Sequence, residues 1–127
     1  MTIEHFGGTL NCKTIEELSA VLDLRYGEKR VNEFWLRKEN DFPDLALMVK
    51  GEYACVVYFP AEGHPGFHSV GKIPELDPNN STVFKINAGE NMEVCNYQVI
   101  QFSQAKEAAI EFFKTQTMTD KIEWEEL

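Results

Sequence analysis

The sequence predicts an α+β domain: a mostly antiparallel sheet of five or six strands, with an N-terminal-side helix and a C-terminal-side helix packed on it. Three observations predict this. A capping box followed by an apolar period of 3.6 residues marks a helix near the start, and a second apolar stripe at helical spacing marks one near the end. Between them the chain is a succession of β-rich runs with no helical pattern. Helices set outside a block of consecutive strands give α+β rather than a doubly wound sheet. At 127 residues a second folded unit would have too few residues to close a core of its own. Residues 1–127 are therefore read as a single domain, with 1–12 an edge strand or arm and 115–127 a C-terminal tail.

The elements follow in order. Ile3 to Leu10 is the short edge strand or arm. Thr14-Ile15-Glu16-Glu17 is a capping box, in which the Thr14 hydroxyl accepts from the third helical N–H and Glu17 reaches back to the Thr14 N–H. Ile15, Leu18, Val21 and Leu22 then repeat at helical spacing, and Gly27 is the predicted stop of a helix of about three turns. Phe34 and Leu36 alternate with Glu33, Trp35 and Arg37, the pattern of a strand with one wet face. Asp41-Phe42-Pro43-Asp44 is turn chemistry. The apolar runs Leu45 to Val49 and Tyr53 to Phe59 meet around Lys50-Gly51-Glu52, which reads as a tight hairpin. Runs this continuously apolar belong in a sheet covered on both faces.

Pro60, Gly63, Pro65, Gly66 and Gly71 make 60–71 a loop, and Ile73 to Asn80 continues as an acidic connection. Thr82 to Ile86 reads as a strand, Asn87 to Glu90 as a turn, and Met92 to Phe102 as a long strand bulged where Asn96 and Gln98 interrupt the alternation. Ser103 is the predicted cap of the last helix, whose stripe is Ala105, Ala108, Ala109, Phe112 and Phe113. Val49, Cys55, Val57, Phe84, Ile100, Leu18, Leu22, Ala109 and Phe112 are the predicted core. Trp124 is expected to fold back and pin the tail by burying its ring.

Charge narrows the partners. Twenty-one acidic against twelve basic residues leave a net charge of −9. Such a surface repels phosphate backbones and anionic membranes and suits a basic partner, so no direct nucleic-acid or membrane binding is expected. The stretch Met1 to His5 shows no basic patch leading into an apolar run, and no span of 18 apolar residues occurs, so a cytoplasmic protein is expected.

The search for catalytic chemistry returns little. Cys12, Cys55 and Cys95 form no Cys-x-x-Cys pair and no disulfide framework. His64 and His68 are four apart, but Pro65 and Gly66 break the helix that would align them, and a metal site would need a third ligand such as Glu62. Ser69 stands in His-Ser-Val-Gly and not in a nucleophile elbow, and no glycine-rich phosphate loop is present. The expectation is no catalytic residue, no metal and no cofactor.

The ordered features together have a likeness. An early helix, a paired-strand core ending Tyr58-Phe59, a Pro-Gly loop closing on Ser69-Val70-Gly71, an Ala-rich helix ending Glu111-Phe112-Phe113 and a final Trp124-Glu125 resemble the first numbered immunity-protein family of bacterial polymorphic-toxin and contact-dependent growth inhibition systems. The resemblance spans about Thr14 to Glu126 and rests on short motifs. The family tends to carry Gly after the last helix and Pro shortly before the Trp, where this chain has Gln116 and Thr119. The resemblance implies a non-enzymatic protein that binds and neutralises one toxin domain, a nuclease or nucleic-acid deaminase with a basic surface. Recognition residues usually sit on loops and termini, so the expected contacts are Glu75, Asp77, Glu90 and Glu93 in one place and Glu123, Trp124, Glu125 and Glu126 in the other. The competing readings are a small-molecule-binding or enzymatic domain with its site under the 60–71 loop, and a structural subunit that pairs by a sheet edge.

Overall fold

The computed structural model describes residues 1–26, 31–38, 42–86 and 89–127. The protein is α+β, with a large antiparallel sheet and two helices, but the sheet exceeds the five or six strands expected. Its strands are β1 (Thr2–His5), β2 (Gly8–Asn11), β3 (Val31–Arg37), β4 (Asp44–Lys50), β5 (Tyr53–Phe59), β6 (Phe67–Val70), β9 (Ile100–Gln101) and β10 (Glu123–Glu126), while β7 (Ser81–Lys85) and β8 (Asn91–Cys95) form a separate hairpin. The spatial order is β10-β6-β5-β4-β3-β1-β2, with β9 also paired to β5. The helices are α1 (Ile15–Leu22) and α2 (Phe102–Thr115).

The surplus strands are short ones. The expected arm is a hairpin of β1 and β2, with β1 paired to β3 and β2 at the sheet edge. The expected loop 60–71 contains β6, and the expected tail contains β10. Four residues are too few for a hydrophobic period to show, so these strands exist because a neighbour offers them a ladder.

The β4–β5 hairpin organises everything else. Its full register runs from Asp44↔Phe59 to Lys50↔Tyr53, and Gly51 at φ +61° makes the turn in a conformation that costs a side chain dearly. Side chains alternate between the two faces. Leu45, Leu47, Val49, Ala54 and Val56 share a core with Phe34 and Leu36 of β3, Leu18 and Leu22 of α1, and Ala105, Ala109 and Phe112 of α2. Met48 and Cys55 share a second core with Phe84 of β7, Val94 of β8, Ile73 and Val99. Each fully buried aliphatic side chain contributes about 1.5–3 kcal/mol, so covering both faces is the dominant gain. Of the predicted core, Val57 alone is corrected: it is half-buried, and Val56 takes the inward place.

Several local expectations also shift. Thr14 Oγ1 accepts from Glu17 N–H at 3.1 Å, but the Glu17 carboxylate takes the Lys13 N–H at 3.0 Å instead of the Thr14 one. Helix α1 stops at Leu22 with Asp23 as its cap, a turn short of the expected length, and the expected stop Gly27 lies outside the described residues. Asp41 of the expected turn also lies outside them, and Asn87 and Ala88 do too. The long strand Met92–Phe102 is broken into β8, a 3-10 turn at Asn96–Gln98 and β9. Gln101, not Ser103, caps α2, in a reciprocal box with Gln104. Amide side chains do here what the hydroxyl was expected to do.

Where β6 leaves β5 the ladder is continued by a side chain. Only Val57↔His68 and Tyr58↔Phe67 pair between these strands. Beyond them the Ser69 hydroxyl accepts from Val56 N–H (3.1 Å) and donates to Gln98 O (2.7 Å), with no exposed surface. Gly71 follows, and a Cβ there would lie 2.1 Å from Val99 O, so only glycine fits this approach.

Two outcomes follow for stability. Ser69→Ala leaves a buried N–H and a C=O without their partner and should lower the unfolding free energy by about 2–3 kcal/mol in urea titration. Cys95 is exposed whereas Cys12 and Cys55 are buried, so a thiol reagent at neutral pH should modify one cysteine fast and the others only on unfolding. Burial pushes the Cys55 thiol from 9.0 up to about 12. Folding thus favours the neutral thiol. That contribution is whole below pH 9 and is lost as pH rises toward 12, a decline that Cys55→Ala should flatten.

Candidate partner-binding site

The two acidic stretches singled out in the sequence arrive in different settings. Glu123–Glu126 is a strand, registered as Glu123↔Val70, Trp124↔Ser69, Glu125↔His68 and Glu126↔Phe67. Alternation turns Trp124 toward the helix-side core, where its Nε1–H donates to Thr119 O at 2.8 Å. Glu123 and Glu125 then lie on the other face. The expected pinning role of Trp124 is what its half-buried ring performs.

Both histidines of the 60–71 segment face this strand. His64 Nδ1 accepts from Gly66 N–H (2.8 Å), so Nε2 carries the proton and donates to Glu126 Oε2 at 2.9 Å. The ring also stacks on Phe67 with centroids 5.1 Å apart. His68 is buried, its Nδ1–H donating to Ser69 O at 2.9 Å, and Glu125 Oε1 stands 3.7 Å from its Nε2. The His64–Glu126 bond is an exposed, individually weak strand-docking contact, whereas the buried His68 Nε2 makes no hydrogen bond to Glu125. Among the described residues no group of three or more His, Cys, Asp or Glu gathers as a metal site. Among the same residues no helix is long and apolar enough to cross a membrane.

The other stretch is anchored by Asn96, at the expected bulge. Asn96 is buried; its Nδ2–H donates to Asp77 O (2.8 Å), its Oδ1 accepts from Thr82 Oγ1 (2.6 Å), and its N–H donates to Asn80 O (2.9 Å). The Asp77 carboxylate is itself engaged, accepting from Asn79 N–H at 2.9 Å. Glu75 is exposed and accepts from Tyr53 Oη at 2.9 Å, a bond that holds the Tyr53 phenol above its usual range. Glu90 and Glu93 are exposed on the β7–β8 hairpin.

A cleft of about 540 Å³ opens where these parts meet. The end of β6 and the following residues supply Val70, Gly71, Lys72 and Ile73, and the connection supplies Pro78. The 3-10 turn presents Tyr97, the start of α2 presents Gln101 and Gln104, and β10 presents Glu123. The fold therefore brings Glu123 to the connection that carries Glu75 and Asp77, while Glu90 and Glu93 do not line the cleft. From the 60–71 segment Val70 and Gly71 line it. Lys72, Tyr97, Gln101 and Gln104 were not among the predicted contacts. Their one sequence signal was the polar break Asn96-Tyr97-Gln98 in an apolar run.

An apolar floor with one aromatic, one carboxylate and two carboxamides is equipped to bind a polar group and orient it. The Ser69 hydroxyl, beside it in sequence, is consumed by its two structural bonds. Set against protein-family models and curated proteins, the chain matches none of either.

Because β10 closes the cleft wall, its docking is measurable. Trp124→Phe should keep the packing and lose one hydrogen bond, about 1 kcal/mol. Trp124→Ala should cost about 2 kcal/mol or more and speed amide exchange across 123–126, since a half-buried indole is deleted.

Proposed function

We propose that this protein is a cytoplasmic immunity protein that binds and neutralises one bacterial toxin domain, a nuclease or nucleic-acid deaminase with a basic surface. It works by association and without catalysis or cofactor. The observation that carries this reading is the placement of exposed carboxylates on rigid backbone: Glu123, Glu125 and Glu126 ride on a strand paired over its whole length to β6. Fixed carboxylates on a chain of charge −9 present a steering field to a basic partner with little ordering entropy to overcome. The resemblance noted in the sequence supports it.

Co-expression decides between binder and bystander. If a polymorphic-toxin C-terminal domain is encoded immediately upstream, the chain produced with that domain is expected to rescue growth and co-purify with it. No rescue and no co-purification would end the reading. In association kinetics, reversing Glu123, Glu125 and Glu126 to Lys should slow the on-rate several-fold at low salt, with the gap closing as ionic strength rises. The same reversal at Glu75, Asp77, Glu90 and Glu93 tests the other cluster. An on-rate indifferent to both sets and to salt means that recognition is not electrostatic.

A further inference from the structure

We propose that the cleft between β6, the 3-10 turn and the start of α2 is a socket for an arginine-bearing peptide segment of the basic partner. This rests on the binding role above and names its contact point. Arginine is argued from the wall chemistry. Glu123 offers an exposed carboxylate, and Tyr97, 37% exposed and held edge-on against His68 with centroids 5.8 Å apart, offers a positioned aromatic ring. A guanidinium bonds a carboxylate through its planar fork and stacks on an aromatic face, which the ammonium of lysine does less well. Val70, Ile73 and Pro78 suit the methylenes of the same side chain.

The carboxamides indicate that peptide backbone enters with it. The Gln101 side chain already accepts from the third helical N–H, and Gln104 Oε1 accepts from Gln101 N–H at 3.2 Å. Those bonds orient the carboxamides, whose NH₂ groups are donors and the complement of peptide carbonyls. The same bonds satisfy N–H groups at the helix start, which blunts its pull on anions. Lys72 is the opposing cation in the lining. Glu123 in the cleft, and Glu75, Asp77 and Glu125 on the flanking connection and strand, outweigh it.

The probe is acetyl-Gly-Arg-Gly-amide, with its citrulline counterpart as an uncharged analogue of similar shape, titrated into the ¹⁵N-labelled chain. Shifts are expected at Gly71, Tyr97, Gln101, Gln104 and Glu123, with the citrulline peptide bound about tenfold more weakly or worse. Glu123→Gln keeps size and strand pairing and should weaken binding about fivefold, as should Tyr97→Leu. Lys72→Ala should strengthen it about threefold, a gain that damage to the fold would not produce. Shifts elsewhere, equal binding of the citrulline peptide, or no gain from Lys72→Ala would overturn the socket. Toxin binding and protection undiminished by Glu123→Gln and Tyr97→Leu would also overturn it and leave the immunity role standing. Arginine peptide seated in the cleft of a chain that fails to protect would support the socket and remove the role.

Discussion

The β4–β5 hairpin is apolar on both of its faces, and the requirement to cover both sets the rest of the structure. One face is closed with side chains from α1, α2 and β3, the other with the β7–β8 hairpin and the residues around Ile73 and Val99. A sheet wetted on one side would need neither the second hairpin nor the long connection that delivers it. That connection and the chain returning from β8 must then cross the end of the sheet. There the cleft opens.

The cleft exists because regular pairing stops at this point. β6 parts from β5 after two residue pairs, and the backbone bond that Val56 would have made is taken by the Ser69 hydroxyl. The same oxygen reaches Gln98, tying the 3-10 turn to the sheet, and Gly71 lets the chain pass against Val99 where a side chain would collide. Asn96 fastens the turn to the connection on its other side. Buried polar bonds of this kind add little net stability when made, yet are costly to leave unmade, so they select one arrangement over others. Tyr97 sits between two such anchors, which is why its ring can be both exposed and fixed in place.

Electrostatics and packing divide their labour along β10. Its indole and backbone ladder hold the strand, while His64 bonds Glu126 and helps align it. Exposed pairs of this type contribute at most about 1 kcal/mol each, so the carboxylates are spared for long-range work and the indole supplies the grip. A strand carrying three glutamates at a sheet edge also resists adventitious pairing with other chains. The acidity that suits a basic partner is the acidity that guards the edge.

Composition and spacing by themselves determined the class, α+β with antiparallel strands and two helices, together with the Thr14 cap, the turn at Gly51, the inward stripes of α1 and α2, and a negative net charge. These are local or periodic properties, and a period shows only where an element is long enough to repeat it. That strands would also flank the helices on their outer sides was not read. The extra strands were decided by tertiary pairing, because β1, β2, β6 and β10 are four residues each and gain their conformation from the neighbour they join. The break at 96–98 has the same origin. The apolar run on either side reads as one strand, but Val99 and Ile100 must reach opposite cores, and Asn96 must meet Asp77 and Thr82 from distant parts of the chain. Glu123 was legible as an acidic residue near the end of the chain; its place in the same cleft as Tyr97 was not, since the cleft is assembled from three stretches far apart in sequence, 70–78, 97–104 and 123, and no local pattern encodes which of them will meet.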